Sequence, residues 1–210
     1  MTANTADLLQ AWSTTAQELG LRQDLTLAGQ LLQSWAEPQR RYHSLQHLRE
    51  CLQTLAQWRH LAQAPALLAL ALWFHDAVYD PQATDNEARS ADWARAALPG
   101  LGLPAAACER VAELVLATRD HVAGDADMGL LMDIDLAILA APPQRFAEYE
   151  RQIREEYAFV PAAAFKTGRH RILAAFLARP RLFVTEALHA AWHAAARRNL
   201  QAACAALASA

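Results

Sequence analysis

Glycine is scarce in this 210-residue chain, at 7 residues. Few turn formers beside abundant alanine and leucine favour helix over sheet. Cysteine occurs three times, at Cys51, Cys108 and Cys204, and never as CxxC. That spacing fits buried thiols in a reducing cytosol better than a disulfide framework. The longest strongly apolar run, Ala64 to Phe74, is too short to span a bilayer, so no membrane association is expected. Block charge is lacking too: the formal net charge is −3 and the sequence pI about 6.2. No basic domain surface follows from those values, so no obligate nucleic-acid partner is expected, although a local basic pocket for a phosphate is compatible with them. A Gly-rich phosphate loop, GxSxG and a dinucleotide fingerprint are all absent. Met1-Thr2-Ala3-Asn4-Thr5-Ala6-Asp7 lacks a basic segment followed by an apolar run, so a cytoplasmic location without signal peptide is expected.

What is present is globular: 54% hydrophobic and 20% charged residues, at a length that suits one domain with a sizeable core. Nearly every segment has helical periodicity. The pattern predicts helices over about Thr5–Leu19, stopped by Gly20, and from an Asp24 cap to Glu37, ended by Pro38. Arg40-Arg41-Tyr42-His43 is a connection, and Ser44 caps a third helix to about His60. The fourth, about Pro65 to Tyr79, is apolar nearly all round and is expected to be central. Asp80-Pro81-Gln82-Ala83-Thr84-Asp85 reads as a loop before a fifth helix to about Leu98. A sixth follows Pro104 to near His121, a seventh spans Met128–Ala140, an eighth Gln144–Tyr157, and a ninth runs from Pro161 to near Pro180. Thr185 caps a long tenth. The expectation is a single all-α domain over 1–210, its core at about 40–140, with C-terminal helices 144–210 packed on it; the oligomeric state, monomer or homodimer, is open.

Four residues stand out: His47, the adjacent His75 and Asp76, and Asp135. Asp135 continues the apolar stripe Met128, Leu131, Met132, Leu136 and Leu139, where a carboxylate needs a partner. A buried Arg or a helix N-terminus would serve, as would a metal, and Asp133 is its rival. His75 continues the stripe Leu68, Ala71 and Leu72, and Asp76 is rotated by about 100° from it, so both can reach an ion between their directions. His47 lies one turn after His43. Two imidazoles and two carboxylates that converge can be satisfied together by one divalent cation.

The order His…His-Asp…Asp resembles the HD-domain superfamily of metal-dependent phosphohydrolases, and more narrowly its bacterial branch of predicted phosphohydrolases. The similar stretches are Arg41-Tyr42-His43-Ser44-Leu45-Gln46-His47-Leu48, Trp73-Phe74-His75-Asp76-Ala77-Val78-Tyr79, Asp85-Asn86-Glu87-Ala88-Arg89-Ser90-Ala91, Thr118-Arg119-Asp120-His121 and Asp133-Ile134-Asp135-Leu136-Ala137-Ile138-Leu139. Arg154-Glu155-Glu156-Tyr157 through Gly168-Arg169 also look like that branch. The resemblance implies an α-helical bundle of the HD type holding a divalent metal through His47, His75, Asp76 and Asp135, and hydrolysis of a small phosphate ester, a nucleotide among the candidates, by metal-activated water. The two imidazoles shift the balance from Mg toward Mn, Fe, Co, Ni or Zn.

Around that core, Asp76 and Glu87 are candidates to orient the water or act as base, and His121 to handle a proton. Glu87 is equally explained as a first-turn carboxylate complementing a helix dipole, and His121 by a helix C-terminus. Arg41, His43, Lys166 and Arg169 are candidates for phosphate. Tyr42, Tyr79 and Tyr157 either line the pocket or pack. Glu186, His189 and His193 have helical spacing, but they do not form HExxH, which argues against metalloprotease chemistry. Two rival functions remain open: an HD-fold di-iron oxygenase, and a non-catalytic nucleotide- or metal-binding regulatory module.

Overall fold

The computed structural model describes residues 5–120 and 124–209. The protein is all-α: among the described residues there are ten α-helices and no strand. They are α1 (Ala6–Glu18), α2 (Thr26–Trp35), α3 (Leu45–Trp58), α4 (Pro65–Phe74), α5 (Asn86–Ala97), α6 (Ala105–Asp120), α7 (Ala126–Asp135), α8 (Pro143–Glu156), α9 (Ala162–Ala178) and α10 (Glu186–Ser209). Three 3₁₀ turns, Arg59–Leu61, Leu98–Leu101 and Leu136–Ala140, extend α3, α5 and α7. The chain divides into two compact units, 1–131 and 132–210, and the division falls inside α7.

In the first unit α4 is the hub. Leu68 to Phe74 are all buried, and the helix packs against α1, α3, α5 and α6. That is the physical meaning of its all-round apolar sequence. Trp12 of α1 meets Trp73 edge-on at 5.3 Å, and Trp35 Nε1 donates to the Trp73 carbonyl at 3.0 Å. The start of α4 is held from a distance: the buried Asp127 carboxylate accepts the N–H groups of Gln63 and Ala64 at 2.8 and 2.9 Å. Gly20 ends α1 at φ +64°, with Gly20 N–H on Gln17 O and Leu21 N–H on Ala16 O, the paired bonds of a Schellman motif. Asp24 accepts Thr26 N–H at 2.8 Å at the start of α2, whose cap position is Leu25, one residue after the expected Asp24.

Two expected helix ends move. The fourth helix stops at Phe74 rather than Tyr79, so His75 and Asp76 lie in a turn. The seventh tightens to 3₁₀ after Asp135, which makes Asp135 the last α-helical residue there. Both changes place a polar residue of the motif at a helix terminus, where backbone direction changes and side chains can leave the apolar stripe.

In the second unit α10 packs on α9 and on the Leu136–Ala140 turn. Asp133 is buried and accepts Val184 N–H at 2.9 Å and Thr185 N–H at 2.7 Å, which holds the segment leading into α10. Asn199 donates to the carbonyls of Leu139 and Ala141 at 2.9 and 2.8 Å, which satisfies the end of that 3₁₀ turn. No helix among the described residues is long and apolar enough to cross a membrane.

Candidate metal centre

His47 reaches inward from the first turn of α3 and is 2% exposed; His75, at the end of α4, is 1% exposed. Their Nε2 atoms are 3.2 Å apart. Asp76 Oδ2 lies 3.2 Å from His75 Nε2 and 3.9 Å from His47 Nε2. His75 Nδ1 sits 2.9 Å from the Leu72 carbonyl. A carbonyl only accepts, so Nδ1 carries a proton, and Nε2, which holds the lone pair in the neutral ring, faces His47 and Asp76. Lone pairs and a carboxylate that converge in a buried wall repel one another unless a proton or a cation lies among them. Two nitrogens on one tetrahedral ion are about 3.3 Å apart, close to the separation between these rings, so the donor set fits a divalent metal.

Within the first unit, one ligand atom from each of His47, Cys51 and His75 lies within 4.8 Å of the others, and this buried cluster could hold a metal ion. Asp135, the last residue of α7, belongs to the second unit. Burial is graded: the imidazoles and the thiol are buried, whereas Asp76 and Asp135 are partly exposed. Asp76 is therefore the side of the first unit's cluster that is open to solvent.

Cys51 was not singled out from the sequence. Its thiol lies 3.6 Å from His47 Nδ1 and 3.8 Å from Nε2. The signal was there to be read, since Cys51 follows His47 by four residues on one helix face.

The turn that carries His75 and Asp76 is held by side chains instead of a helical ladder. From α5, the buried Asn86 accepts Asp80 N–H at 3.1 Å and donates to Asp80 O at 2.8 Å. Ser90, one turn later and fully buried, accepts Val78 N–H at 3.0 Å. The segment Asp85 to Ala91 thus holds the motif in place through Asn86 and Ser90, which sequence reasoning passed over in favour of Glu87. From the opposite direction the buried Arg40 donates to the carbonyls of Asp76 at 2.6 Å and Ala77 at 3.0 Å.

The remaining candidates are spread more widely. His43 is in the turn before α3, stacked on Tyr79 at 4.1 Å, with its ring 6.0 Å from that of His47. Tyr42 is buried against His47 at 4.7 Å. Glu87 is partly exposed in the first turn of α5. Arg41 is exposed and turned back on the carbonyls of its own loop, Pro38 and Arg40. His121 lies outside the described residues. In the second unit Lys166 is partly buried on α9, and Tyr157 packs with Phe159 and Phe165. Arg169 is buried and bonded to Glu150 at 2.5 and 3.3 Å, its guanidinium 5.0 Å over the Tyr149 ring. Burial alone would lower the Arg169 pKa, but the neighbouring Tyr149 and Glu150 raise it overall. Burial pushes the Tyr149 phenol up; Arg169 opposes this, while Glu150 and Asp135 add to the rise. Asp133, the rival to Asp135, is occupied by two backbone N–H groups of the Val184–Thr185 segment. Its pKa is raised by burial, against the pull of those bonds.

No family model matches the chain, and neither a curated protein nor a solved structure matches it.

Proposed function

We propose that this protein is a metal-dependent phosphohydrolase acting on a small phosphate ester, a nucleotide among the candidates, with His47, His75, Asp76 and Asp135 holding one divalent ion. The observation that carries the reading is the convergence of the His47 and His75 Nε2 atoms at 3.2 Å with Asp76 Oδ2 beside them. The HD-like order of these residues links that donor set to phosphate chemistry. A divalent ion held there supplies Lewis-acid polarisation of a phosphoryl oxygen and a water of lowered pKa.

The chain's own residues do the rest. The Leu72 carbonyl fixes the His75 tautomer. Asp76, partly exposed and carrying a second carboxylate oxygen, accepts a proton from water on the open flank and orients it. His43, stacked on Tyr79 beside His47, is placed to donate a proton to a leaving oxygen. Buried apolar side chains of α4 behind the imidazoles keep bulk water to the carboxylate side.

The test is elemental analysis of purified protein with and without chelator, alongside His75→Ala, followed by a screen of phosphomonoesters and nucleotides with the metal found. About one transition-metal ion per chain, lost in the variant, together with phosphate release, supports the reading. Two irons per chain with visible absorbance would move it to an oxygenase. Tight nucleotide binding without turnover would make it a regulatory module. No metal under any loading condition would sink it.

A further inference from the structure

The geometry points to Arg40 as the positioning residue of the metal centre: one guanidinium that fixes the two chain segments carrying His47 and His75-Asp76 against each other. The inference rests on the metal-centre reading and adds a residue that touches none of the ligand atoms. The Arg40 side chain is 1% exposed. Its Nε donates to Glu37 at 3.0 Å, and Nη1 donates to the carbonyls of His43 at 3.2 Å and Asp76 at 2.6 Å. Nη2 donates to Ala77 O at 3.0 Å. The guanidinium carbon lies 5.6 Å from the ring centres of both Trp35 and Tyr79.

Each partner has a place in the site. His43 O belongs to the turn that launches α3, four residues before His47. Asp76 O and Ala77 O belong to the turn that aims His75 and Asp76. Trp35 stands 5.3 Å from the His75 ring and 6.1 Å from the His47 ring. Tyr79 stacks on His43. A buried cation is costly unless its donors are met, and here a carboxylate, three carbonyls and two aromatic faces meet them. Only a planar fork of five N–H donors reaches those partners together; a lysine ammonium has three donors on one point. Asn86 and Ser90 tie the far side of the same turn to α5, so Arg40 alone supplies the link to the His47 side among these three residues.

The experiment compares full-length wild type, Arg40→Met, Arg40→Lys and the control Arg110→Met, which removes a surface ion pair to Asp125 at 2.8 Å. Zn²⁺ affinity is measured by chelator competition, and the imidazole resonances of His47 and His75 are recorded by long-range ¹H–¹⁵N NMR on metal-stripped protein. The expected result for Arg40→Met is a 10–100-fold loss of Zn²⁺ affinity, the usual effect of losing an outer-shell partner, with both ring signals displaced in the stripped protein. Arg40→Lys moves in the same direction by less, and the control moves neither readout. Wild-type affinity and ring signals in a folded Arg40→Met would overturn the assignment; if that variant does not fold, the same outcome in Arg40→Lys overturns it. A wild type that binds no Zn²⁺ or other metal would remove the metal reading, and the ring signals of the stripped proteins would still decide for or against Arg40.

Discussion

Two pairs of histidines among the described residues, one in each unit, differ in what surrounds them. His47 and His75 are 28 residues apart in sequence and meet with Nε2 atoms 3.2 Å apart, next to the Asp76 carboxylate. His189 and His193 are one helical turn apart on α10, with ring centres 4.3 Å apart. Their Nδ1 atoms are buried without a hydrogen-bond partner. The nearby carboxylate, Glu186, is bonded to Arg181 at 2.7 Å, and burial, then His189, Arg197 and Arg181, hold His193 below its ordinary pKa. The first pair has negative charge added to it; the second has positive charge. A cation is drawn to one environment and repelled by the other, although the second pair has the tidier spacing. Proximity of ligand atoms is therefore a weaker guide to a metal than the sign of the field around them.

The sharpest break of that comparison is His75→Ala against the double variant His189→Ala/His193→Ala. The first should lower metal affinity by more than the 10–100-fold expected for an outer-shell partner, and the second should leave stoichiometry unchanged; mass spectrometry of dialysed protein reads both. Equal losses in the two would erase the distinction. A carboxylate version sets Asp133 against Asp76. Asp133→Ala strands two N–H groups and should cost about 1–3 kcal/mol of stability in urea unfolding, with metal content intact. Metal lost without loss of stability would reinstate Asp133 as a ligand.

Smaller effects refine the first pair. Cys51→Ser should weaken Zn²⁺ and Co²⁺ about tenfold while sparing Mn²⁺, since a thiol favours the softer ions; chelator competition with each ion measures it. The smallest effect belongs to the second pair. Unfolding returns His193 to an ordinary value of about 6.5, above its depressed folded value. Its share of stability is thus complete above that pH and lost as pH falls through the folded value. His193→Gln should flatten this acid-side slope, and thermal melts between pH 7 and pH 5 would show it. An unchanged slope would remove the titration from the account.

Much of the fold was legible because periodicity and breakers act locally. The all-round apolar α4 and the Gly20 stop follow from single stretches of sequence and were found in place; the start of α2 was found within two residues of Asp24. Less legible were the ends of α4 and α7: bonds to Arg40, Asn86 and Ser90 hold the turn that follows α4, and Asn199 of α10 holds the end of the 3₁₀ turn that follows α7. In the site, His47, His75 and Asp76 were visible as polar residues in apolar surroundings. Arg40 was not, because it adjoins Arg41 and nothing local says which of the two turns inward. Asn86 and Ser90 were hidden for a similar reason: both look like ordinary residues of an exposed amphipathic helix until the turn they hold is known. Asp133 and Asp135 differ by two positions, and the partners that occupy Asp133, Val184 and Thr185, lie some fifty residues on.

The turn after α4 has a thermodynamic consequence. Its backbone is committed to side chains of Arg40, Asn86 and Ser90, so its conformational entropy is surrendered when the chain folds, before any ligand arrives. A socket completed in that way is preorganised: association with it carries no local ordering penalty, and the heat-capacity change on binding should stay near zero while the helical circular dichroism is untouched by chelation.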